Sequence, residues 1–320
     1  MDWLGWTILI AAPQVAFGLL GVPLITAYVI YRKLLVRTSP EKWSRESSAP
    51  DDHDHYDMYL KGKAWGCAHA DRARDVSTVS EKLTMHGRYY DFGADRAVLI
   101  LPGRSEGLVY SEFFAEPYAK AGWNVLVVDV RAHGLSEGKY NTIGKHEKED
   151  ALAWLTYLHD VLGNRDVMLH GLCIGGSTSL LIASDEKCPQ YLTRVVSEGA
   201  FTNFYEVFRN QLRQRKRPVY PCLWFFFFYL WLHTGTRPKQ CAPLRFVGSM
   251  RLPVLFIAGK EDISTLPEMT KRLVAACGSP EKRLVWMEHG SHSHLRYYNT
   301  EAYDTAITAF LKHTDEDQTV

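Results

Sequence analysis

The decisive stretch is Val167-Met168-Leu169-His170-Gly171-Leu172-Cys173-Ile174-Gly175-Gly176. A short apolar run of strand character ends in a glycine-rich turn, and a helix-like run follows from Ile174 to about residue 184. Small residues two positions either side of Cys173 permit a strained strand-to-helix turn that pushes the central side chain out of the sheet. Here that side chain is a thiol. The helix N-terminus behind it favours negative charge on sulfur. A buried cysteine in an ordinary glycine turn is the competing reading, so the rest of the chain has to decide.

Working outward, short β-rich runs recur at Val98–Leu101, Val125–Asp129, Val167–His170, Arg194–Ser197, Val254–Ala258 and Arg283–Met287. Helix-like stretches lie between them at about 111–121, 147–162, 174–184, 266–277 and 301–312. This alternation predicts an α/β fold with a mostly parallel, doubly wound sheet. The run Val76–Tyr90, with Gly87 inside it, reads as a leading hairpin.

Other chemistry sits at strand ends. Pro102-Gly103-Arg104-Ser105-Glu106-Gly107 follows the first long strand, where a loop can aim a backbone N–H at a developing oxyanion. The N–H groups of Arg104 and Ile174 are the candidate donors. Asp262 follows the strand Val254–Ala258 beside Glu261, and is placed to orient a histidine. Glu198, at the end of the preceding strand, is a rival acid. The segment Glu288-His289-Gly290-Ser291-His292-Ser293-His294 offers three imidazoles after the last strand. His289 and His294 are read as loop residues. The polar set Asp129, Arg131, His133 and Ser136 is read as organising a tight loop.

Taken together these segments resemble the α/β-hydrolase superfamily over residues 76 to 313, most closely the membrane-anchored bacterial hydrolases of the serine aminopeptidase and monoacylglycerol-lipase-like branch. The resemblance is carried by Pro102-Gly103-Arg104-Ser105-Glu106, by Asp129-Val130-Arg131-Ala132-His133-Gly134-Leu135-Ser136-Glu137-Gly138, by the elbow around Cys173, and by Gly259-Lys260-Glu261-Asp262 and Gly290-Ser291-His292. It implies an α/β-hydrolase fold with Cys173, Asp262 and His292 as the triad. The chain differs from the family in having Cys173 where serine is usual, and Pro102 where a histidine usually precedes the loop glycine.

Composition narrows the function classes. Lys+Arg is 37 against Asp+Glu 36, which excludes a nucleic-acid binder that works through global charge. Six scattered cysteines with no C-x-x-C pair indicate neither a zinc ribbon nor a disulfide scaffold. Trp3 to Tyr31 carries no charged residue, long enough for a spanning helix, and Arg32, Lys33 and Arg37 follow it. A single-pass membrane anchor over residues 1–37 is expected, with the hydrolase domain on the cytoplasmic side. A cleaved signal peptide fits less well, since the start Met1-Asp2 lacks a basic n-region and no A-x-A site follows.

Residues 38–75 read as a polar linker. Its run Asp51-Asp52-His53-Asp54-His55-Tyr56-Asp57 has metal-ligand types but reads as solvated acidic linker. Residues 314–320 read as a tail. A cap insertion is expected at about 203–248, where Arg213, Arg215, Lys216 and Arg217 precede Leu223-Trp224-Phe225-Phe226-Phe227-Phe228-Tyr229-Leu230-Trp231-Leu232. Basic residues beside an aromatic run suit a lid at the bilayer interface.

The expected activity is hydrolysis of a carboxylic ester or thioester, lipid-like in character, through an acyl-enzyme on Cys173 and with no metal or organic cofactor. An acyltransferase or synthase using the same thiol, and a non-catalytic membrane-tethered binding protein, are the alternatives.

Overall fold

The computed structural model describes residues 3–46 and 52–317. Helix α1 (Trp3–Ala16), a π-helical turn at Phe17–Gly21 and α2 (Val22–Leu35) form one long N-terminal helix. Then come α3 (His53–Ala68), β1 (Ala73–Ser80), β2 (Leu83–Tyr90), β3 (Arg96–Leu101), α4 (Leu108–Glu112), α5 (Glu116–Lys120) and β4 (Asn124–Val128). The second half runs α6 (Lys145–Thr156), β5 (Asp166–Leu172), α7 (Ile174–Ala183), β6 (Leu192–Glu198), α8 (Phe204–Gln214), α9 (Cys222–Thr234), β7 (Val254–Gly259), α10 (Pro267–Ala276), β8 (Lys282–Met287), α11 (Leu295–Tyr298) and α12 (Thr300–Asp317).

The eight strands form one sheet in the order β1-β2-β4-β3-β5-β6-β7-β8. The leading hairpin β1–β2 is antiparallel and joins β4 antiparallel; every pairing from β4 to β8 is parallel. Side chains alternate across the pleat, so each strand feeds two cores. Leu99 and Leu101 of β3 join Leu126, Trp154 and Leu180 on one face. Val98 and Ile100 join Val127, Tyr118 and Phe310 on the other. Both faces are covered, which is why these strands are apolar throughout.

A third apolar cluster lies above the sheet. Ala27, Tyr31 and Leu35 of α2 pack with Phe208 of α8 and with Leu223, Phe226 and Leu230 of α9. The cap helix α8 is amphipathic: Phe204, Val207, Phe208 and Leu212 are buried, at helical spacing. Its N-cap Asn203 accepts a hydrogen bond from Glu206 N at 2.8 Å. Helices α8 and α9 both fall in the connection between β6 and β7.

The expected polar linker is not one throughout. Its part His53–Ala68 is α3, packed across α4. Asp52 caps it by accepting from His55 N at 3.0 Å. Glycines replace apolar side chains at the contact: a Cβ on Gly62 would lie 2.2 Å from Val109 O. Acidic groups there contact neighbouring side chains, as in the Asp57–Lys61 ion pair at 2.9 Å and the bond from the Tyr298 hydroxyl to Asp54. At the other end α12 runs to Asp317, into the expected tail. Met1, Asp2, Asp51 and residues 318–320, on which parts of the anchor, acidic-run and tail readings fall, lie outside the described residues.

Candidate active site at Cys173

β5 delivers Cys173 to the rim of the sheet between Leu172 and α7. Its backbone has φ 54 and ψ −110, a left-handed conformation costly for any residue with a Cβ. The turn holds only because its neighbours are glycines. A Cβ on Gly171 would lie 2.2 Å from Gly175 C, and one on Gly175 would lie 2.2 Å from Leu101 O. Cys173 N donates to Glu198 O at 2.9 Å, which ties the elbow to β6.

His292 stands in the loop after β8, and its Nδ1 donates to Asp262 Oδ2 at 2.7 Å. The Cys173 side chain lines the same cleft and acts electrostatically on this ring. Asp262 is almost wholly buried yet well supplied with donors. Ser264 N and Thr265 N donate to Oδ1 at 2.7 and 2.8 Å, and the Thr265 hydroxyl donates to Oδ2 at 2.6 Å. Burial pushes the Asp262 carboxyl up, but the His292 charge and these bonds outweigh it and leave the group below its ordinary value. Burial disfavours a charged His292 ring, but Cys173 and Asp262 overcome that and hold its pKa well above the usual imidazole value. The arrangement thus brings the three sequence-predicted side chains together, with the imidazole between sulfur and carboxylate.

The oxyanion-loop candidates meet at the same place. Arg104 and Ile174 line one cleft with Cys173 and His292. The Arg104 carbonyl is held by His133 Nε2 at 2.6 Å. The His133 ring is stacked on Trp43 at 4.4 Å between centroids. The polar loop after β4 is organised as read from its residues. Asp129 accepts from Leu108 N, Leu135 N and Arg45 Nε at 3.1, 3.1 and 2.8 Å. Ser136 bonds to Asp129 O, and Arg131 pairs with Asp150.

Glu198, the rival acid, is placed differently. It is buried, and its carboxyl accepts from the Tyr303 hydroxyl, which in turn meets His170 Nε2 at 3.0 Å. Burial raises the Glu198 carboxyl to about 7 and lowers His170 to about 3. His294 borders the cleft, with Nδ1 2.8 Å from His292 O. The His289 carbonyl accepts from Asn299 instead.

The cleft measures about 890 Å³. One wall was not foreseen: Tyr28, Val29, Arg32 and Lys33 of α2 line it, so the N-terminal helix is part of the site. Asp52 and His55 at the start of α3 line it as well. The hydroxyl of Thr265 and the contact of α2 were also missed, because hydroxyls are common in loops and a helix's partner is not written in its own sequence. A signal for α3 was present in Asp52, three residues before His55, as a helix N-cap.

Comparison with known proteins agrees with this architecture. A family model described as the alpha/beta hydrolase fold matches residues 96–220. An uncharacterized Bacillus subtilis protein, YqkD, is 29% identical over 221 residues, covering 68% of this chain and 72% of that protein. An uncharacterized membrane protein of Saccharomyces cerevisiae is 25% identical over 176 residues, covering 55% of this chain and 57% of its own length. Among solved structures, the Pyrococcus furiosus esterase Pf2001 superposes with a TM-score of 0.65 at 23% identity, over 78% of this chain and 93% of that one. The sheet order, the strained elbow and these matches show that the chain has the α/β-hydrolase fold.

Proposed function

We propose that the chain is a membrane-anchored hydrolase that cleaves a carboxylic ester or thioester through Cys173, His292 and Asp262. The observation that carries this reading is His292 held between the Asp262 carboxylate and the Cys173 sulfur, with its pKa raised. The loop motifs favour the serine aminopeptidase and monoacylglycerol-lipase-like branch.

In the reaction His292 takes the Cys173 proton, leaving a thiolate beside an imidazolium. The sulfur attacks the acyl carbonyl carbon, and the electron pair of the C=O bond moves to oxygen. The N–H groups of Ile174 and Arg104 receive that oxyanion, an effect worth about 3–4 kcal/mol per donor in well-studied cases. Collapse breaks the bond to the leaving group, which takes the proton from His292. The acyl group is then a thioester on Cys173. His292, held in one tautomer by Asp262, takes a proton from water, the hydroxide adds to the thioester, and the acid departs with the thiolate regenerated.

Membrane attachment is supported by the helix from Ile10 to Leu35, long and apolar enough to cross a bilayer. The cap supports it too. Besides its buried face, α9 shows Trp224, Phe228, Trp231 and Leu232 to solvent, so it is apolar all round. An exposed aromatic face beside α2 suits a lid resting at headgroup depth.

The test is a panel of esters and thioesters assayed with wild type, Cys173→Ala and Cys173→Ser. Turnover is expected to vanish in the alanine variant and to survive in part in the serine variant. Full activity in Cys173→Ala would sink the mechanism.

A further inference from the structure

The wall supplied by α2 also bears on what the cleft binds. Its last turns place Arg32 and Lys33 on the cleft, and both are exposed. Neither has a carboxylate within ion-pair distance among the described residues. Two more cations stand beside them. Lys42 donates to the carbonyls of Arg32, Lys33 and Val36 at 3.0, 2.8 and 2.5 Å, which closes the end of α2. Arg104 Nη1 donates to Leu34 O at 3.1 Å. Lys42 is therefore occupied with the helix end, whereas Arg32 and Lys33 remain available. The positive field is dense: burial, helped by Arg104, Arg32 and Lys33, lowers the Lys42 ammonium to about 8. The cleft's carboxylates make other contacts. Glu106 accepts from Gly103 N at 2.6 Å, and Asp52 lies 3.5 Å from His294 Nε2. Val29, Ile174, Phe201, Phe204 and Val207 give the same cleft an apolar lining beside Cys173.

A cleft that combines apolar lining, Cys173 and two cations without a carboxylate partner is complementary to an amphiphile with a negative head. We propose that the cleft takes a single-chain acyl ester whose polar end carries a phosphate-type anion, held by Arg32 and Lys33. The proposal rests on the acyl-ester reading above and names its substrate class. Guanidinium and ammonium donors make charge-assisted bonds to phosphate oxygens, while the acyl chain lies on the apolar residues.

The test uses the full chain in neutral detergent. Hydrolysis of 1-octanoylglycerol 3-phosphate is compared with that of 1-octanoylglycerol, both as monomers in solution. Wild type is expected to favour the phosphate ester by about tenfold or more in kcat/KM, and Arg32→Gln/Lys33→Gln is expected to bring that ratio near one. The charge-keeping exchange Arg32→Lys/Lys33→Arg should retain most of the preference. A second readout needs no turnover: octyl phosphate should protect Cys173 from iodoacetamide at concentrations where 1-octylglycerol does not, and the Gln pair should abolish that protection. A wild type with no preference and no selective protection overturns the proposal. So does a Gln pair that keeps the full ratio, or a preference that appears only with anionic vesicles, since the cations then serve the bilayer surface. Failure to hydrolyse either ester would count against the hydrolase reading alone, and the protection experiment would still decide the anion site.

Discussion

Gly175 leaves no space for a methyl group, because the Leu101 carbonyl sits where it would go. Gly175→Ala should therefore cost about 3 kcal/mol of stability by overpacking, read as a fall in the urea midpoint. Thr265→Val tests a different residue. It removes a hydroxyl that fixes the Asp262 carboxylate, so kcat should fall by about tenfold with little change in KM. The protonation state of His292 gives a third expectation. Wild-type kcat/KM should hold through neutral pH and decline on the alkaline side, as the imidazolium with its raised pKa loses its proton. In Cys173→Ser the ring must be neutral to act as base, so activity should instead rise with pH. An identical profile in both would show that no thiolate–imidazolium pair exists. The three proposed triad positions could be picked out because each sits at the end of a recognisable strand, inside a short motif. Thr265 and the grip of His133 on Arg104 were not, since both depend on partners distant in sequence and on side chains that serve many structural purposes.

At the scale of elements, α9 poses the sharpest question. Leu223, Phe226 and Leu230 hold it to the domain, so substitutions on its other face leave the core intact. Trp224→Ser/Phe228→Ser/Trp231→Ser should keep the melting temperature within a few degrees while lowering ester turnover in vesicles. Turnover of long-chain esters should fall more than that of short-chain ones; equal losses would argue against a lid. Strands and most helices could be read ahead because apolar runs and turn residues mark them. The helix α3 escaped because its contacts use Gly62 and Gly66 rather than large apolar side chains, which gives the segment the composition of a linker. The docking of α2 on α9 escaped for another reason: both helices are apolar on every side, so no stripe announces which face meets which.

Across the whole molecule, one buried polar chain crosses the core beneath the site: Tyr118, His170, Tyr303 and Glu198. The folded state favours protonated Glu198, with its carboxyl at about 7 against an ordinary value near 4.5. The sign follows. Between those two values the native protein binds the extra proton, so this group's contribution to stability falls as pH rises through that window, by about 3 kcal/mol in all. Glu198→Gln should flatten the dependence, seen by comparing denaturation midpoints of both proteins at pH 5 and pH 7.5. An unchanged slope would mean that Glu198 ionises in place without penalty. Sheet order could not be read from the sequence beyond its parallel character, because pairing across β4, β3 and β5 is set by three-dimensional crossovers.

The contacts of residues 34–45 bear on how such a chain can be handled. Trp43 lies flat on His133, Arg45 holds Asp129, and Leu34 anchors Arg104. Cutting away residues 1–46 to obtain a water-soluble fragment would strip these braces from beneath the loop that shares a cleft with Cys173. A fragment starting after residue 46 that proved inert would then report the surgery and not the native catalyst, and extraction of the intact polypeptide in mild surfactant is the fair specimen.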